Sequence, residues 1–281
     1  MSATAAHRRP TSALAAVLLI VALGGSSSLL VAQQPLATRV AAVRDGAVQF
    51  EFAARDGVCG DGRSYIRVGG SMIGAFNSSA NSANCQSGPV RVLLQLRDAR
   101  ITSLREFAGP IPPAKGEVTE LGEVTPAEGS HYLLALAESD EDGQVANRAV
   151  FPAVLGRDVV AWPALLRIVK AERGGGRRGR HDVTFWLAQY AAAKLAGSDN
   201  PFAANVNGDA GGEDTLKEHA VFALSQLRNG EGIEPLIQVA LTNRNLAVRA
   251  KAMFWLGESG DRRALDLFEQ VLTKGAAIPH G

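Results

Sequence analysis

The sequence predicts an α+β protein of two domains, in which a small disulfide-bonded β module precedes an all-α solenoid of about four helix pairs. Three observations predict this architecture. Alternating apolar and polar residues separated by turn signals occupy residues 38–113, and only helical patterns follow residue 125. A phenylalanine-centred pentad recurs at intervals of about one helix pair. The two cysteines, Cys59 and Cys85, both lie in the β module.

Residues 1–32 have the order of a signal peptide. His7, Arg8 and Arg9 precede an apolar run over residues 13–23, and small residues follow it. We expect cleavage after Ala32, an exported protein in the periplasm or outside the cell, and no membrane attachment after cleavage. The alternative interpretation is an uncleaved N-terminal anchor over residues 13–32.

The overall charge gives no reason to expect a nucleic acid or an anionic lipid as partner. Lys and Arg number 29, Asp and Glu number 28, and the net charge is +1. An even cysteine count in an exported chain favours a Cys59–Cys85 disulfide, worth roughly 3–4 kcal/mol in the chain-entropy model. Two free thiols are the alternative. With no histidine close to the cysteines, we expect no zinc site there.

The β module, residues 38–113, is predicted to contain two hairpins. Asp45-Gly46 is a strong turn signal for the first hairpin, and Asp98-Ala99 marks the second. Because alanine tolerates positive φ poorly, the second turn is expected to be longer or of another type. Pro110, Pro112 and Pro113 then end the module. The predicted strands are residues 40–44, 47–52, 65–68, 90–97 and 100–107.

The helical domain, residues 125–275, opens with a capping-box pattern. Thr125 occupies the N-cap, Pro126 the first helical position and Glu128 the third. The segments that follow are 10–14-residue helical patterns with short Gly, Asn, Asp or Pro breaks.

Four pentads align around a central phenylalanine, with steps of 34, 37 and 32 residues and a polar insertion at 197–212 in the longest step. These repeat-core residues are Phe151, Phe185, Phe222 and Phe254. The first helix of each pair is apolar on several faces, so neighbours are expected on several sides. Phe222, with units before and after it, is expected to be buried more deeply than Phe254 in the terminal unit.

The last two units resemble HEAT repeats. Residues 245–257 carry Asn245, Val248-Arg249 and Leu256-Gly257 at the family's positions, and residues 261–265 open a second helix as HEAT units do. The resemblance covers residues 126–274 and is strongest from residue 213 onward. Together with the leader and the β module, the chain is similar to exported bacterial HEAT-repeat domain-containing proteins. The resemblance implies an α-solenoid used for protein–protein contact.

Other motifs are interpreted structurally. Residues 174–179 satisfy G-x-G-x-x-G, but a helix precedes them where a dinucleotide site needs a strand, so an inter-repeat turn is favoured over nucleotide binding. The basic residues from Arg167 to Arg180 are interpreted as a solvated loop, with an acidic partner as the alternative. No catalytic, cofactor-binding or metal-binding residues are predicted.

The predicted function is therefore a non-enzymatic scaffold that binds another protein, with no cofactor. The sequence predicts neither the identity of that protein nor the oligomeric state. The alternative is an enzyme or ligand-binding protein with a site in the β module or at the domain junction, as in lyases that contain HEAT-like repeats. A deep polar pocket with clustered titratable side chains would favour that alternative.

Overall fold

A computed structural model describes residues 34–68, 71–73, 85–110, 116–139, 143–171, 176–203 and 213–275. The predicted signal peptide, residues 1–32, lies outside the described residues. The strands are β1 (Gly46–Phe52), β2 (Val58–Gly60), β3 (Ile66–Val68), β4 (Ser71–Ile73), β5 (Val90–Arg97), β6 (Arg100–Ala108) and β7 (Val118–Glu123). The helices are α1 (Leu36–Ala41), α2 (Pro126–Glu138), α3 (Gly143–Val154), α4 (Trp162–Lys170), α5 (Gly176–Leu195), α6 (Glu213–Ser225), α7 (Ile233–Thr242), α8 (Leu246–Ser259) and α9 (Arg262–Lys274).

The strands form two sheets, one of four strands in the order β6-β5-β1-β7 and one of three in the order β2-β3-β4. Strand β7 runs parallel to β1, and the other pairs are antiparallel. The Cys59–Cys85 disulfide is confirmed, with 5.3 Å between the two Cα atoms. It ties β2 to the segment before β5, where Gly60 and Gln86 also form a β-bridge.

The hairpin of β5 and β6 is confirmed, but the expectation about its turn is wrong. Asp98 and Ala99 form the two-residue turn themselves, with φ values of +51° and +60°. The amides of both turn residues donate hydrogen bonds to acceptors outside the hairpin. Asp98 N donates to Asp45 Oδ1 at 2.9 Å, and Ala99 N donates to the Arg44 carbonyl at 2.8 Å. These bonds stabilise a conformation that alanine alone disfavours.

The predicted strand at residues 40–44 is wrong, and with it the first hairpin. The chain forms helix α1 instead, because Leu36 and Val40 are four residues apart and both enter the core. Glu128 Oε1 accepts a 2.7 Å bond from Leu36 N at the start of α1. The Thr125 cap is confirmed, since its hydroxyl oxygen accepts from Glu128 N at 3.2 Å.

Strand β7 was not predicted, and it follows the prolines that were expected to end the β module. Its burial pattern is mostly exposed, so it lacks the clear alternation of a half-buried strand. Arg39 Nη1 donates to the Leu121 carbonyl at 2.8 Å, so α1 covers part of this edge strand.

One hydrophobic core runs from the four-stranded sheet into the helices. The sheet meets α2 at Gly129, where a Cβ would lie 2.7 Å from Cδ1 of Phe52. Strand β6 packs on α3, and α3 packs on α5. A side chain on Gly129 would therefore separate the sheet from the first long helix.

The last five helices do not stack in chain order. Helix α5 packs on α8 and α9, whereas α6 packs on α7 and α8. Among the described residues, helix α8 thus packs on both α5 and α6, and α6 lies at the edge of these five helices. Phe222 is 46% exposed, while Phe254 is partly buried between Phe185 and Trp255, at ring distances of 5.9 and 5.0 Å. The expected order of burial for Phe222 and Phe254 is therefore wrong.

Candidate functional site

A cleft of about 740 Å³ lies where the β part meets the helices, and we call it the junction groove. It follows the whole of α2 and is closed on its other side by the α3–α4 loop and the start of α4. With a rise of 1.5 Å per residue, the first and last Cα atoms of the 13-residue helix α2 lie about 18 Å apart, which sets the length of the groove. The groove is lined by Ala53, Thr125, Pro126, Ala127, Ser130, His131, Leu134, Ala135, Glu138, Arg157, Asp158, Val159, Val160, Pro163, Ala164 and Arg167.

The floor of the groove is apolar and made mostly of small side chains. Leu134 and Ala164 are buried, Ala135 is exposed, and Val160 stands 50% exposed at the wall. The buried Ser130 hydroxyl donates to the Ala153 carbonyl at 2.8 Å, so its polar group is already satisfied. The floor therefore offers apolar contact area, and Ser130 adds no unsatisfied polar group to it.

The α3–α4 loop is fixed to the end of β1 by main-chain bonds. Arg55 N donates to the Leu155 carbonyl at 2.8 Å, and Arg157 N donates to the Ala53 carbonyl at 3.0 Å. Ala54 and Gly156 form an antiparallel bridge between these two pairs. The loop thus continues the β structure for a few residues before α4 begins.

Two buried side chains, Arg55 and Tyr190, form hydrogen bonds to the main chain of the same loop. The Arg55 guanidinium, in a residue only 8% exposed, donates to the carbonyls of Val154 and Val159. The Tyr190 hydroxyl, from α5, donates to the Val159 carbonyl at 3.4 Å and accepts from Ala161 N at 3.2 Å. Burial raises the pKa of Tyr190 above its usual value, so the hydroxyl keeps its proton for this bond.

Asp158 sits in this loop with φ at +57°, a left-handed conformation that costs a non-glycine residue energy. Among the described residues, neither the Asp158 carboxylate nor the Nη groups of Arg157 have a hydrogen-bond partner; Arg157 Nε donates to the Ala54 carbonyl at 3.3 Å. The loop therefore presents an unpaired carboxylate and an unpaired guanidinium edge at one end of the groove.

The opposite end of the groove is electrically balanced. Arg167 Nη2 and Glu138 Oε1 are 2.9 Å apart, and both side chains are exposed. His131 lies between the two ends on the exposed side of α2, with no hydrogen-bond partner in the part of the chain that the structure describes. Unpaired polar groups thus lie at one end and in the middle of the groove.

A second cleft, of about 520 Å³, shares Ala53 and Arg157 with the junction groove. Glu51 and Glu123 stand opposite each other in the β1–β7 register and both line it. Arg91 Nη2 lies 2.9 Å from Glu51 Oε2 and offsets part of this negative charge. The second cleft is therefore more polar than the groove beside it.

The carboxyl of Glu106 on β6 lies outside both clefts in a half-buried environment. Burial raises its pKa above the usual value, and the charges of Arg148 and Arg105 only partly oppose this. Its Oε2 atom is buried and has no hydrogen-bond partner among the described residues. A buried, unsatisfied carboxylate destabilises the folded state when it is ionised.

The two cysteines and the four repeat phenylalanines lie outside the junction groove, whereas Thr125, Pro126 and Arg167 line it. Cys59 and Cys85 form the disulfide of the β part. The four repeat phenylalanines contact a continuous row of rings: Phe151 stacks on Trp186 at 5.7 Å, Trp186 contacts Phe185 at 5.0 Å, and Phe222 contacts Trp255 at 5.2 Å. Sequence reasoning missed the groove because its residues come from three separate segments, around 53, 125–138 and 157–167.

The predicted basic cluster is partly paired. Arg167 pairs with Glu138, and Lys170 Nζ lies 2.5 Å from Glu269 Oε1 on α9. Residues 172–175, which include Arg173 and the first glycine of the G-x-G-x-x-G pattern, Gly174, lie outside the described residues. The pattern's remaining residues, from Gly176, belong to the first turn of α5.

Within the described residues no group of three or more His, Cys, Asp or Glu side chains is placed to hold a metal ion. The same part of the chain contains no helix that is long and apolar enough to cross a bilayer.

Capping residues that can be recognised in the sequence mark the ends of helices α8 and α9. The Asn245 side chain caps α8 by accepting from Ala247 N at 2.8 Å, and Asp261 caps α9 by accepting from Arg263 N at 2.8 Å. Gly260 makes the turn between them with φ at +63°. Arg249 Nε donates to the Ala240 carbonyl at 2.9 Å and links α8 to the end of α7.

No curated protein and no solved structure matches the chain. A family model, the PBS lyase HEAT-like repeat, matches residues 248–274, which span most of α8 and all of α9. The helical part of this protein therefore contains a HEAT-like repeat.

Proposed function

We propose that this protein is an exported, non-catalytic protein–protein interaction module that contains HEAT-like helical repeats, and that the junction groove is its contact surface. The observation that carries the proposal is the α3–α4 loop, which Arg55 and Tyr190 hold so that Val160 is exposed beside an apolar floor. A pre-formed apolar surface loses little conformational entropy on binding.

The repeat supports the same function. HEAT-like repeats generally mediate contacts between proteins, and the matched repeat lies in the helical part that also supplies α2 and α4 to the groove. The rings of the aromatic row mostly contact one another within the helical part, whereas the groove presents an apolar floor beside the exposed side chain of Val160.

Site-specific photo-crosslinking in the native host tests the proposal. Val160 and Leu227 are each replaced by p-benzoylphenylalanine; their exposures are 50% and 46%, and Leu227 lies just after α6 rather than in the groove. We expect a crosslinked protein adduct from position 160 and none from position 227. Equal labelling at both positions, or none at 160, would contradict the assignment of the groove.

Export is tested separately by the intact mass of the protein from the cell envelope or medium. We expect a chain that begins at Gln33. A chain that retains residues 1–32, or one recovered only from the cytoplasm, would contradict export while leaving the interaction surface untouched.

The alternative function is ligand binding or catalysis at the junction. It is favoured by the volume of the groove, which falls in the range of small-molecule sites, and by the presence of His131 and Asp158 on its rim. It predicts that small molecules raise the Tm of the wild-type protein and fail to raise that of Val160→Trp, whose new side chain fills part of the groove.

A further inference from the structure

We infer that the junction groove binds an extended peptide segment of about five or six residues with small and medium apolar side chains. This inference rests on the proposed function and names the kind of partner that the groove accepts. It is carried by the dimensions of the groove, its unpaired polar groups and the character of its floor.

The dimensions fit an extended segment. A groove about 18 Å long accommodates about five or six residues at roughly 3.3 Å per residue. The same length would hold a helix of about twelve residues at 1.5 Å per residue. An α-helix with its side chains is about 10 Å in diameter. The groove volume of about 740 Å³ suits a short extended peptide better than a helix of that width.

The polar groups of the groove also favour an extended backbone. A helix satisfies its own peptide groups, whereas an extended segment needs donors and acceptors from its partner. The Arg157 guanidinium offers donors to peptide carbonyls, and the Asp158 carboxylate accepts from peptide N–H groups. His131, farther along the groove, supplies a donor and an acceptor. All three side chains have these groups free of partners within the described residues.

The floor determines which side chains fit. Ala135 and Ala164 leave room for a peptide backbone to approach α2 and α4 closely, and Val160 provides an apolar wall. Opposite charges at one end of the groove, Arg157 and Asp158, and the Glu138–Arg167 pair at the other give no net preference for an acidic or a basic segment. A neutral, apolar segment is therefore the best complement.

Fluorescence anisotropy with the full mature chain tests the inference. The probe is a fluorescein-labelled hexapeptide of alternating valine and alanine, compared with a hexapeptide of alternating serine and glycine and with a helical 14-residue peptide that has one apolar face. We expect the valine–alanine peptide to bind at least tenfold more tightly than either of the other two.

Matched tryptophan substitutions place the binding site. Ala135→Trp fills the groove, whereas Ala223→Trp makes the same exposed change on α6. We expect the first to weaken binding at least tenfold and the second to leave it unchanged. Val160→Ser removes an apolar contact without adding bulk and should also weaken binding, with unchanged thermal unfolding as evidence that the variant is folded.

The outcomes separate this inference from the function on which it rests. If the hexapeptide fails to bind, or if the helical peptide binds more tightly, while position 160 still crosslinks to a protein, the extended-segment inference is wrong and the interaction function stands. If position 160 gives no crosslink either, both are wrong. Equal loss of binding in Ala135→Trp and Ala223→Trp would also overturn the placement.

Discussion

Gly257 of α8 lies directly against Ala188 of α5, so closely that a Cβ on Gly257 would be 2.8 Å from the Ala188 Cβ. The Thr184 carbonyl oxygen and the Phe185 Cα would also lie within 3.4 Å of it. This is where the HEAT-like repeat meets the long helix α5, and the absence of a side chain lets the two helices pack at this distance.

We therefore expect Gly257→Val to destabilise the protein by about 2–3 kcal/mol, because overpacking at a backbone contact forces the helices apart. Urea unfolding measures the change. The control is Gly143→Ala at the start of α3, where a Cβ meets nothing within 4 Å. That control should be neutral or stabilise by up to about 1 kcal/mol; equal destabilisation of both variants would contradict the α5–α8 contact.

Phe254→Ala is expected to cost more than Phe222→Ala. Phe254 is partly buried, with its ring against both Phe185 and Trp255, so its loss should cost about 3 kcal/mol. Phe222 is 46% exposed and its removal should cost about 1 kcal/mol. The two free energies of unfolding test the order of the helices, since a stack in chain order would make Phe222 the costlier loss.

Glu106→Gln should stabilise the protein at neutral pH. Burial raises the pKa of Glu106 in the folded state, so ionisation opposes folding, and the penalty is relieved as pH falls through the folded pKa. The wild-type protein should thus gain stability relative to Glu106→Gln as the pH is lowered from 7.5 to 5. Unfolding curves of both proteins at the two pH values give the comparison, and parallel pH profiles would refute this account.

Tyr190→Phe is expected to destabilise the protein by about 1–2 kcal/mol, because the Val159 carbonyl and Ala161 N each lose a hydrogen-bond partner in a buried place. It should also weaken binding of the valine–alanine hexapeptide, since the loop that carries Val160 is no longer held from α5. Tyr132→Phe, a change of the same kind on α2, serves as the control for the loss of a phenol hydroxyl. Equal hexapeptide binding by wild type and Tyr190→Phe would show that the loop does not need this support.

Replacing both cysteines, Cys59→Ser with Cys85→Ser, should lower the stability by roughly 3–4 kcal/mol, because the unfolded chain gains conformational entropy when the disulfide no longer closes a loop. Thermal unfolding of the double variant measures this loss. The same Tm for the wild-type protein with and without reductant would indicate that the β part does not depend on the bridge.

Local patterns in the sequence predicted much of the fold. The Thr125 cap, the β5–β6 hairpin and the disulfide each depend on residues whose chemistry is specific at short range. Helix α1 was missed because its two buried residues, Leu36 and Val40, gain their stability from the core rather than from propensity. The groove and the order of the stack depend on contacts between distant segments, which no single-sequence pattern contains.

The position of α5 limits how the helical array can grow. A following repeat that packed on both α8 and α9 would compete with α5, which already packs on these two helices. A repeat appended after Lys274 would have to displace α5, whereas one inserted ahead of α6 would extend the open edge beside Phe222. We therefore expect a duplicated repeat to be accommodated when it is inserted before α6, and to disrupt the packing of α5 when it is added after Lys274.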